Sequence, residues 1–237
     1  KEEEIRNIFS EIKKIINRDI FGQGYLYRVI SKDEITSIEN ISKVEIIEGI
    51  DHQKSYVVYD KGDKDGNRWY LVSPYYICWS KTNVKWLTEN SGKTGKGMPV
   101  LRNKQYYFKS GFCWSDVHTT YLKARLNNKG PYDVSSMTLF SLSNKVPDNY
   151  IISLINSKFI SEFQQEFLNN TAHFQINDAR KIPILVPNQD DINLINQIYN
   201  QFLDLKKKEF NNKENLEDKF LSLQKNLDKV VYNLYRI

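Results

Sequence analysis

The sequence predicts an α+β fold, in which a β-rich region is flanked by helices and followed by a C-terminal helical hairpin or coiled-coil spacer. Three observations predict this class. Short β-prone runs separated by turn residues occupy residues 25–145. Apolar residues recur at helical spacing before and after that region. Finally, residues 188–237 carry a heptad-like apolar repeat.

The first predicted element is an amphipathic helix over residues 2–17. Isoleucines recur at helical spacing from Ile5 to Ile16. Acidic residues begin the segment and basic residues end it, which suits the helix dipole. Because this charged run starts at Lys1, we expect the chain to be cut from a longer protein.

The β-rich region is predicted from a series of short runs rich in β-branched and aromatic residues. The four tryptophans of the region are expected in the core, because large rings in β segments usually pack there. Gly-rich and Asp-rich segments at residues 60–67 and 91–99 mark turns. The predicted strand-like runs are YLYRVI (25–30), KVEIIEGI (43–50), SYVVYD (55–60), WYLVSPYYICW (69–79) and pieces of residues 106–140.

A second helix is predicted over residues 150–168, capped by Asp148 or Asn149. The short piece KIPILVP (181–187) is predicted to be a strand, and its two prolines exclude it from a central position in a sheet. We therefore place one domain at residues 1–187 and a helical spacer or docking segment at residues 188–237.

The repeat in the C-terminal segment leaves its architecture open. Apolar residues step by three and four from Ile195 to Leu205 and again from Leu216 to Leu234, with a break near Asn211. An antiparallel helical hairpin or one long helix with a stutter would bury this seam. The helices could form a coiled-coil arm or simply close the preceding domain.

Charge and composition limit the possible functions. The chain has 237 residues and a net charge of +5, which permits a nucleic-acid partner. Residues 51–135 hold 14 Lys and Arg against 7 Asp and Glu, whereas residues 186–237 hold 8 of each. A negatively charged partner is therefore expected for the middle region. Only two cysteines occur and no signal peptide is recognisable, so we expect reduced thiols, a cytoplasmic location and no membrane association.

Several familiar kinds of catalytic site are missing from the sequence. The loop GKTGKG (92–97) lacks the upstream glycine of a phosphate-binding loop, since that place holds Leu87. The three histidines are scattered, so a four-ligand zinc site is not expected. No Gly-x-Ser-x-Gly elbow occurs, and the two Glu-x-Lys tripeptides fall on predicted helices. We predict no catalytic residues, no metal and no cofactor in this chain.

Two stretches admit both a functional and a structural interpretation. The loop at 92–97 could order its lysines on phosphates, or it could be a solvated hairpin turn. Residues 106–140 alternate aromatic residues with cations, which suits phosphates and bases. An ordinary β core with solvated lysines explains the same pattern.

The order of motifs resembles target-recognition domains of N6-adenine DNA methyltransferases from type IIG restriction-modification and BREX (PglX-like) phage-defence systems. The resemblance spans about residues 50–190. It rests on the W-S-K-x-N-V-x-x-L pattern from Trp79, on Arg102-Asn103, on Tyr106-Tyr107-Phe108, on G-F-x-W-S from Gly111, and on Ala124-Arg125, Gly130 and Asp133.

The following segment adds to this resemblance. LINSKFISEFQQEFLNN and HFQINDARKIPILVP look like the segments that close such domains and the specificity subunits of type I restriction enzymes. However, the chain has no Asn-Pro-Pro-Tyr or Asp-Pro-Pro-Tyr motif and no glycine-rich cofactor strand. The resemblance thus implies a reader of double-stranded DNA. S-adenosylmethionine would bind only the missing methyltransferase part, which is the expected protein partner.

Under this hypothesis, particular side chains are candidate DNA contacts. Cations would bind phosphates, arginines would contact guanine and amides would contact adenine. Arg125 could instead pair with Asp116 or Asp133 inside the domain, and Ser115 or His118 could cap a turn. The candidates are Lys93, Lys96, Lys104, Lys109 and Lys129 for phosphates; Arg102 and Arg125 for guanine; Asn103 and Gln105 for adenine; and Ser115, His118, Asn170, Thr171 and His173 as further contacts.

Two other functions compete with DNA recognition. The chain could be a protein-interaction module whose coiled coil binds another protein. It could also be a metal-dependent nuclease whose site is not recognisable in the sequence. Salt-sensitive DNA binding without cleavage or methylation distinguishes the reader from both.

Overall fold

The computed structural model describes residues 3, 7, 30–62, 67–95, 98–117, 121–212 and 215–237. The chain has an α+β fold, as predicted, and divides into two compact units. The first unit comprises Lys1–Val57 and Tyr76–Tyr106, and the second comprises Val58–Tyr75 and Tyr107–Ile237. The predicted helix at 2–17, apart from residues 3 and 7, and most of the run at 25–30 lie outside the described residues. The predicted domain boundary at residue 187 stays a prediction.

The first unit combines two short helices with a two-stranded sheet. Its elements are helix α1 (Lys43–Glu48), strand β1 (Tyr56–Val58), strand β2 (Tyr76–Cys78) and helix α2 (Lys81–Asn90), with single 3-10 turns at Lys32–Glu34, Ile38–Asn40 and Lys104–Tyr106. The ring nitrogen of Trp79 donates to the carbonyls of Glu45 and Ile46 at 3.1 and 3.2 Å, so it ties α1 to this sheet.

Serine caps explain why two segments of the first unit are helical and not extended. Ser42 accepts a hydrogen bond from the Glu45 amide and forms a capping box, which starts α1 where the sequence predicted a strand. Ser80 accepts from the Asn83 amide and starts α2. The predicted strand at 43–50 was therefore wrong, because the cap overrides a β-prone composition.

The second unit is built on a three-stranded antiparallel sheet. Strands β3 (Phe112–Ser115), β4 (Ala124–Leu126) and β5 (Ser136–Leu139) lie in the order β4-β3-β5. In this register Cys113 faces Arg125 on one side and Thr138 on the other. The β-prone stretch at 106–140 is confirmed as the source of all three strands.

Helices cover this sheet and supply most of the core of the second unit. They are α3 (Asp148–Ile155), α4 (Lys158–Phe163), a π-helical turn (Gln164–Leu168), α5 (Ile176–Ala179), α6 (Gln189–Asn212) and α7 (Glu217–Tyr235). Buried Trp69 stacks on Phe202 of α6, with ring centroids 4.0 Å apart. The ring centroid of Phe202 also lies 6.3 Å from that of Phe220 of α7. The C-terminal segment thus forms two helices that pack on each other, with α6 also against α3 and α7 against α4.

A break at Asn156 replaces the single helix predicted over 150–168. The Asn156 side chain is buried, accepts from the Ala124 amide at 2.7 Å and donates to the Ala124 carbonyl at 2.9 Å. Ser157 then caps α4 by accepting from the Ile160 amide. The amide side chain therefore completes the edge of β4, and the helix restarts two residues later, at Lys158.

Other predictions about elements differ from the structure. Residues 181–187 form no strand, because the two prolines cannot donate backbone hydrogen bonds to a sheet. Trp69, Trp79 and Trp114 are buried as expected, but Trp86 is 44% exposed on α2. Within the described part of the chain, no helix combines the length and the apolar character needed to cross a bilayer.

Candidate nucleic-acid interface

Five of the predicted contact residues lie in the first unit, around the C-terminal end of α2. Lys104 donates to the Ile47 carbonyl at 3.2 Å and to the Thr88 hydroxyl at 3.1 Å, so it links α1 to α2. Lys93 donates to Asn90, one turn before it. Arg102, Asn103 and Gln105 are exposed, and Asn103 has a left-handed backbone with φ of 57°. Lys96 lies outside the described residues.

Arg125 is buried, which corrects its assignment as a guanine contact. Its residue is 3% exposed, and its Nη1 lies 3.4 Å from Oδ1 of Asp60, which is itself fully buried. An arginine held inside the unit cannot reach a base edge. The alternative interpretation, an ion pair within the domain, fits the structure, although the partner is Asp60 and neither Asp116 nor Asp133.

Asp60 also holds the turn that carries Lys129. Both its carboxylate oxygens accept from Asn128, from the amide and from the side-chain nitrogen, each at 2.7 Å. A side chain at Gly130 would place its Cβ 1.9 Å from the Val58 carbonyl oxygen, so this turn needs glycine. Lys129 is exposed with φ of 58°. The buried carboxylate therefore fixes the backbone on which Lys129 is displayed.

The backbone of Lys109 is tied to the strand end that leads to Lys129. Asn127 donates to the Lys109 carbonyl at 2.9 Å and accepts from the Gly111 amide at 3.1 Å. Asn127 follows β4 and Lys109 precedes β3, so both lie at the end of the sheet where β3 begins. This end is the basic end of the sheet.

A polar loop lies at the other end of β3, and we call it the Asp116 loop (Asp116 and residues 169–178). Nδ1 of His173 lies 3.0 Å from Oδ2 of Asp116, and the Gln175 side chain donates to the other Asp116 oxygen. The Phe174 amide donates to the Asp116 carbonyl at 2.9 Å. His173 also bridges to Val117 in antiparallel fashion.

Asn169 organises the rest of this loop from within. Its side-chain oxygen Oδ1 accepts from the Thr171 amide at 2.9 Å and from the Thr171 hydroxyl at 2.7 Å. Its nitrogen donates to the His173 carbonyl and to Asp178 of α5, both at 2.9 Å. The loop is therefore held by side chains that bond its own backbone.

The Asp116 loop exposes groups that can hydrogen-bond bases or phosphates. Asn170, Thr171, His173 and Gln175 are all exposed, and the His173 side chain is 59% accessible. Hydroxyl, amide and imidazole groups are among those that contact base edges and the DNA backbone. Thus Ser115, Thr171 and His173 come together at the end of β3, whereas Lys109 lies at its opposite end. His118 lies outside the described residues.

Asp116, Asn169 and Gln175 were not among the predicted site residues. One signal could have found Asn169, because Asn169 and Thr171 have the spacing of an Asx turn. Asp116 and Gln175 meet only through the tertiary fold, 59 residues apart in the chain. Among the residues that the structure describes, no three His, Cys, Asp or Glu side chains are grouped to hold a metal ion.

Comparison with known proteins gives one partial similarity. No protein-family model matches the chain. The chain is 33% identical over 103 residues to the adenine-specific methyltransferase BrxX of Escherichia coli O9:H4 (strain HS). The matched segment is 42% of this chain but only 8% of that protein. The similarity therefore associates the chain with a small part of a much longer adenine-specific methyltransferase.

Proposed function

We propose that the chain is the double-stranded DNA recognition module of a bacterial restriction-modification or phage-defence adenine methyltransferase, and that methyl transfer occurs in another domain or subunit. The observation that carries this proposal is a pairing of two facts. The chain is similar to a segment of an adenine-specific methyltransferase. It has no Asn-Pro-Pro-Tyr or Asp-Pro-Pro-Tyr sequence and no glycine-rich cofactor strand.

The Asp116 loop supports a role in reading bases. Its exposed side chains are polar donors and acceptors, and Asp116 and Asn169 fix the backbone that carries them. Fixed donors discriminate between bases better than mobile ones, because less conformational entropy is lost on binding. The charge surplus of residues 51–135 supplies the cations that phosphate binding needs.

A direct test measures DNA binding by the full chain. Fluorescence anisotropy with a labelled duplex of about 30 base pairs should show binding that weakens steeply as salt is raised from about 50 to 200 mM, because phosphate contacts release counterions. Incubation with labelled S-adenosylmethionine and the same duplex should transfer no methyl group. A chain that shows no salt-sensitive binding to duplexes of random sequence at low salt would contradict the proposal.

One observation favours a second role in protein binding for the first unit. Val44, Ile47 and Trp86 are apolar residues exposed on α1 and α2, by 58%, 65% and 44%. Exposed aromatic and aliphatic side chains are frequent at protein interfaces. Concentration-dependent self-association of the chain that is lost in Trp86→Ser would support this role. DNA binding should be unchanged in the same variant.

A further inference from the structure

A cluster of two cations and one aromatic ring lies in the second unit, apart from the predicted contacts. The guanidinium carbon of Arg68 lies 4.4 Å from the centroid of the Tyr121 ring. The ammonium nitrogen of Lys123 lies 5.2 Å from the same centroid. Tyr121 is 40% exposed, so solvent and ligands can reach the cluster.

Buried neighbours hold the three residues in place. Leu122 and Ala124 are 2% and 0% exposed, so Tyr121 and Lys123 alternate with core residues along an extended segment. On the segment that carries Arg68, the Trp69 amide donates to the Ala124 carbonyl at 3.0 Å, while the Trp69 ring stacks on Phe202. Arg68, which precedes Trp69, therefore lies beside the segment that carries Tyr121 and Lys123.

The cations of this cluster have no close carboxylate among the residues that the structure describes. No carboxylate oxygen of those residues lies within 4 Å of the charged nitrogens of Arg68 or Lys123. Arg68 donates only a long hydrogen bond, 3.4 Å, to the Asn156 carbonyl. Burial lowers the pKa of Arg68, and Tyr121 and Asp228 oppose that shift from longer range. A partly desolvated guanidinium without an ion-pair partner is suited to an anion from outside.

The cluster lies at the same end of the sheet as the Asp116 loop. Trp114 of β3 faces Ala124 of β4, so the chain passes Asp116 as it leaves β3 and Lys123 as it enters β4. Because β3 and β4 are antiparallel neighbours, both groups lie beyond the same end of the sheet. Cations beside a loop of polar donors match the arrangement at DNA interfaces, where phosphate contacts position the protein and base contacts provide specificity.

We infer that Arg68, Tyr121 and Lys123 bind a backbone phosphate of the duplex whose bases lie against the Asp116 loop. This inference rests on the proposed function and adds residues that the motif-based prediction did not include. Arg68 supplies the planar donors, Lys123 supplies a second charge, and the Tyr121 ring contacts both cations.

The test compares salt dependence of duplex binding in the full chain and in charge variants. Lys123→Gln should weaken binding about 3- to 10-fold near 0.1 M salt and lower the slope of log K against log salt by about 0.9, the value for one lost phosphate contact. Arg68→Gln should act in the same direction, and Arg68→Lys should restore the slope. Lys225→Gln, which removes an exposed cation of α7, is the matched control and should behave as wild type.

The outcomes separate this inference from the proposed function. If the wild-type chain binds DNA and both Lys123→Gln and Arg68→Gln keep the wild-type salt slope, the phosphate site is refuted while the proposed DNA recognition stands. Absence of wild-type binding would overturn both. Because Lys123 is not buried and makes no hydrogen bond that supports the core, a folding defect does not obscure its result; near-ultraviolet circular dichroism verifies the fold of the Arg68 variants.

Discussion

Two aspartates of the second unit have similar partners and opposite environments. Asp60 is fully buried and binds a guanidinium and the amide side chain of Asn128. Asp116 is 20% exposed and binds an imidazole and the amide side chain of Gln175. Each joins a strand region to a loop. One arrangement is closed to solvent, and the other displays its partners.

The difference shows how burial decides what a carboxylate does. Inside the unit, water cannot compensate a broken contact, so the Asp60 group fixes the turn that carries Lys129. At the surface, water replaces lost bonds at little cost, so Asp116 can orient His173 and Gln175 while leaving them available to a ligand. Five predictions test this contrast.

The largest effect is expected for Asp60→Ala. Removing the carboxylate leaves the Arg125 charge buried without its partner and should lower the free energy of unfolding by about 3–5 kcal/mol. Urea denaturation, monitored by tryptophan fluorescence, measures this free energy of unfolding. Arg125→Met added to Asp60→Ala should recover part of the loss, because the buried charge is then gone. A loss below about 1 kcal/mol in the single variant would argue against a structural role for the pair.

Asn156→Ala extends the comparison to a buried group that carries no charge. The Ala124 amide loses its acceptor, whereas the Ala124 carbonyl keeps the bond from the Trp69 amide. We expect a loss of about 1–3 kcal/mol in the free energy of unfolding, the cost of one buried unpaired donor. Asn226→Ala, at an exposed position of α7, is the control in the same denaturation experiment and should change stability little.

Asp116→Ala should have little effect on folding but a clear effect on DNA binding. The exposed pair with His173 contributes at most about 1 kcal/mol to stability. Binding should weaken about 5-fold or more in anisotropy titrations, because each well-placed contact to a base contributes about 1–3 kcal/mol and 1 kcal/mol corresponds to about 5-fold in affinity. Loss of a negative charge alone would strengthen DNA binding, so tighter binding would contradict the proposed orienting role. Asp190→Ala, at an exposed position of α6, is the charge-matched control.

The smallest effect is expected for Tyr199→Phe. Its hydroxyl is buried without a hydrogen-bond partner among the described residues, so its removal should leave stability unchanged or raise it by up to about 1 kcal/mol. Tyr235→Phe is the contrast, because that hydroxyl donates to the Pro183 carbonyl. It should lower stability by about 0.5–1.5 kcal/mol. Equal effects of the two substitutions in urea denaturation would refute the distinction.

Tyr199 also predicts a pH effect with a defined sign. Burial raises the pKa of Tyr199 to about 12 from its ordinary value of 10.0. The folded state therefore keeps this proton more tightly than the unfolded state, and the resulting stability is complete below pH 10 and is lost as the pH rises toward 12. Denaturation midpoints measured over this range should fall less steeply in Tyr199→Phe than in wild type.

Local sequence patterns predicted the parts of the fold that depend on local rules. The two C-terminal helices follow from apolar residues at three- and four-residue steps, and the sheet follows from the β-prone stretch at 106–140. The strand predicted at 43–50 failed because the Ser42 capping box outweighed the β-branched residues after it. The long helix failed at Asn156, whose partner lies 32 residues away.

Sequence alone thus determined the α+β class, the helical C-terminal segment and the polar character of residues 169–175. Only the tertiary structure decided that Arg125 pairs with Asp60, that Asp116 meets His173 and Gln175, and that Arg68 lies over Tyr121. The physical reason is that helical periodicity and capping act over a few residues, whereas these contacts join residues more than fifty positions apart. Their identity depends on the strand register and on which side chains the core leaves exposed.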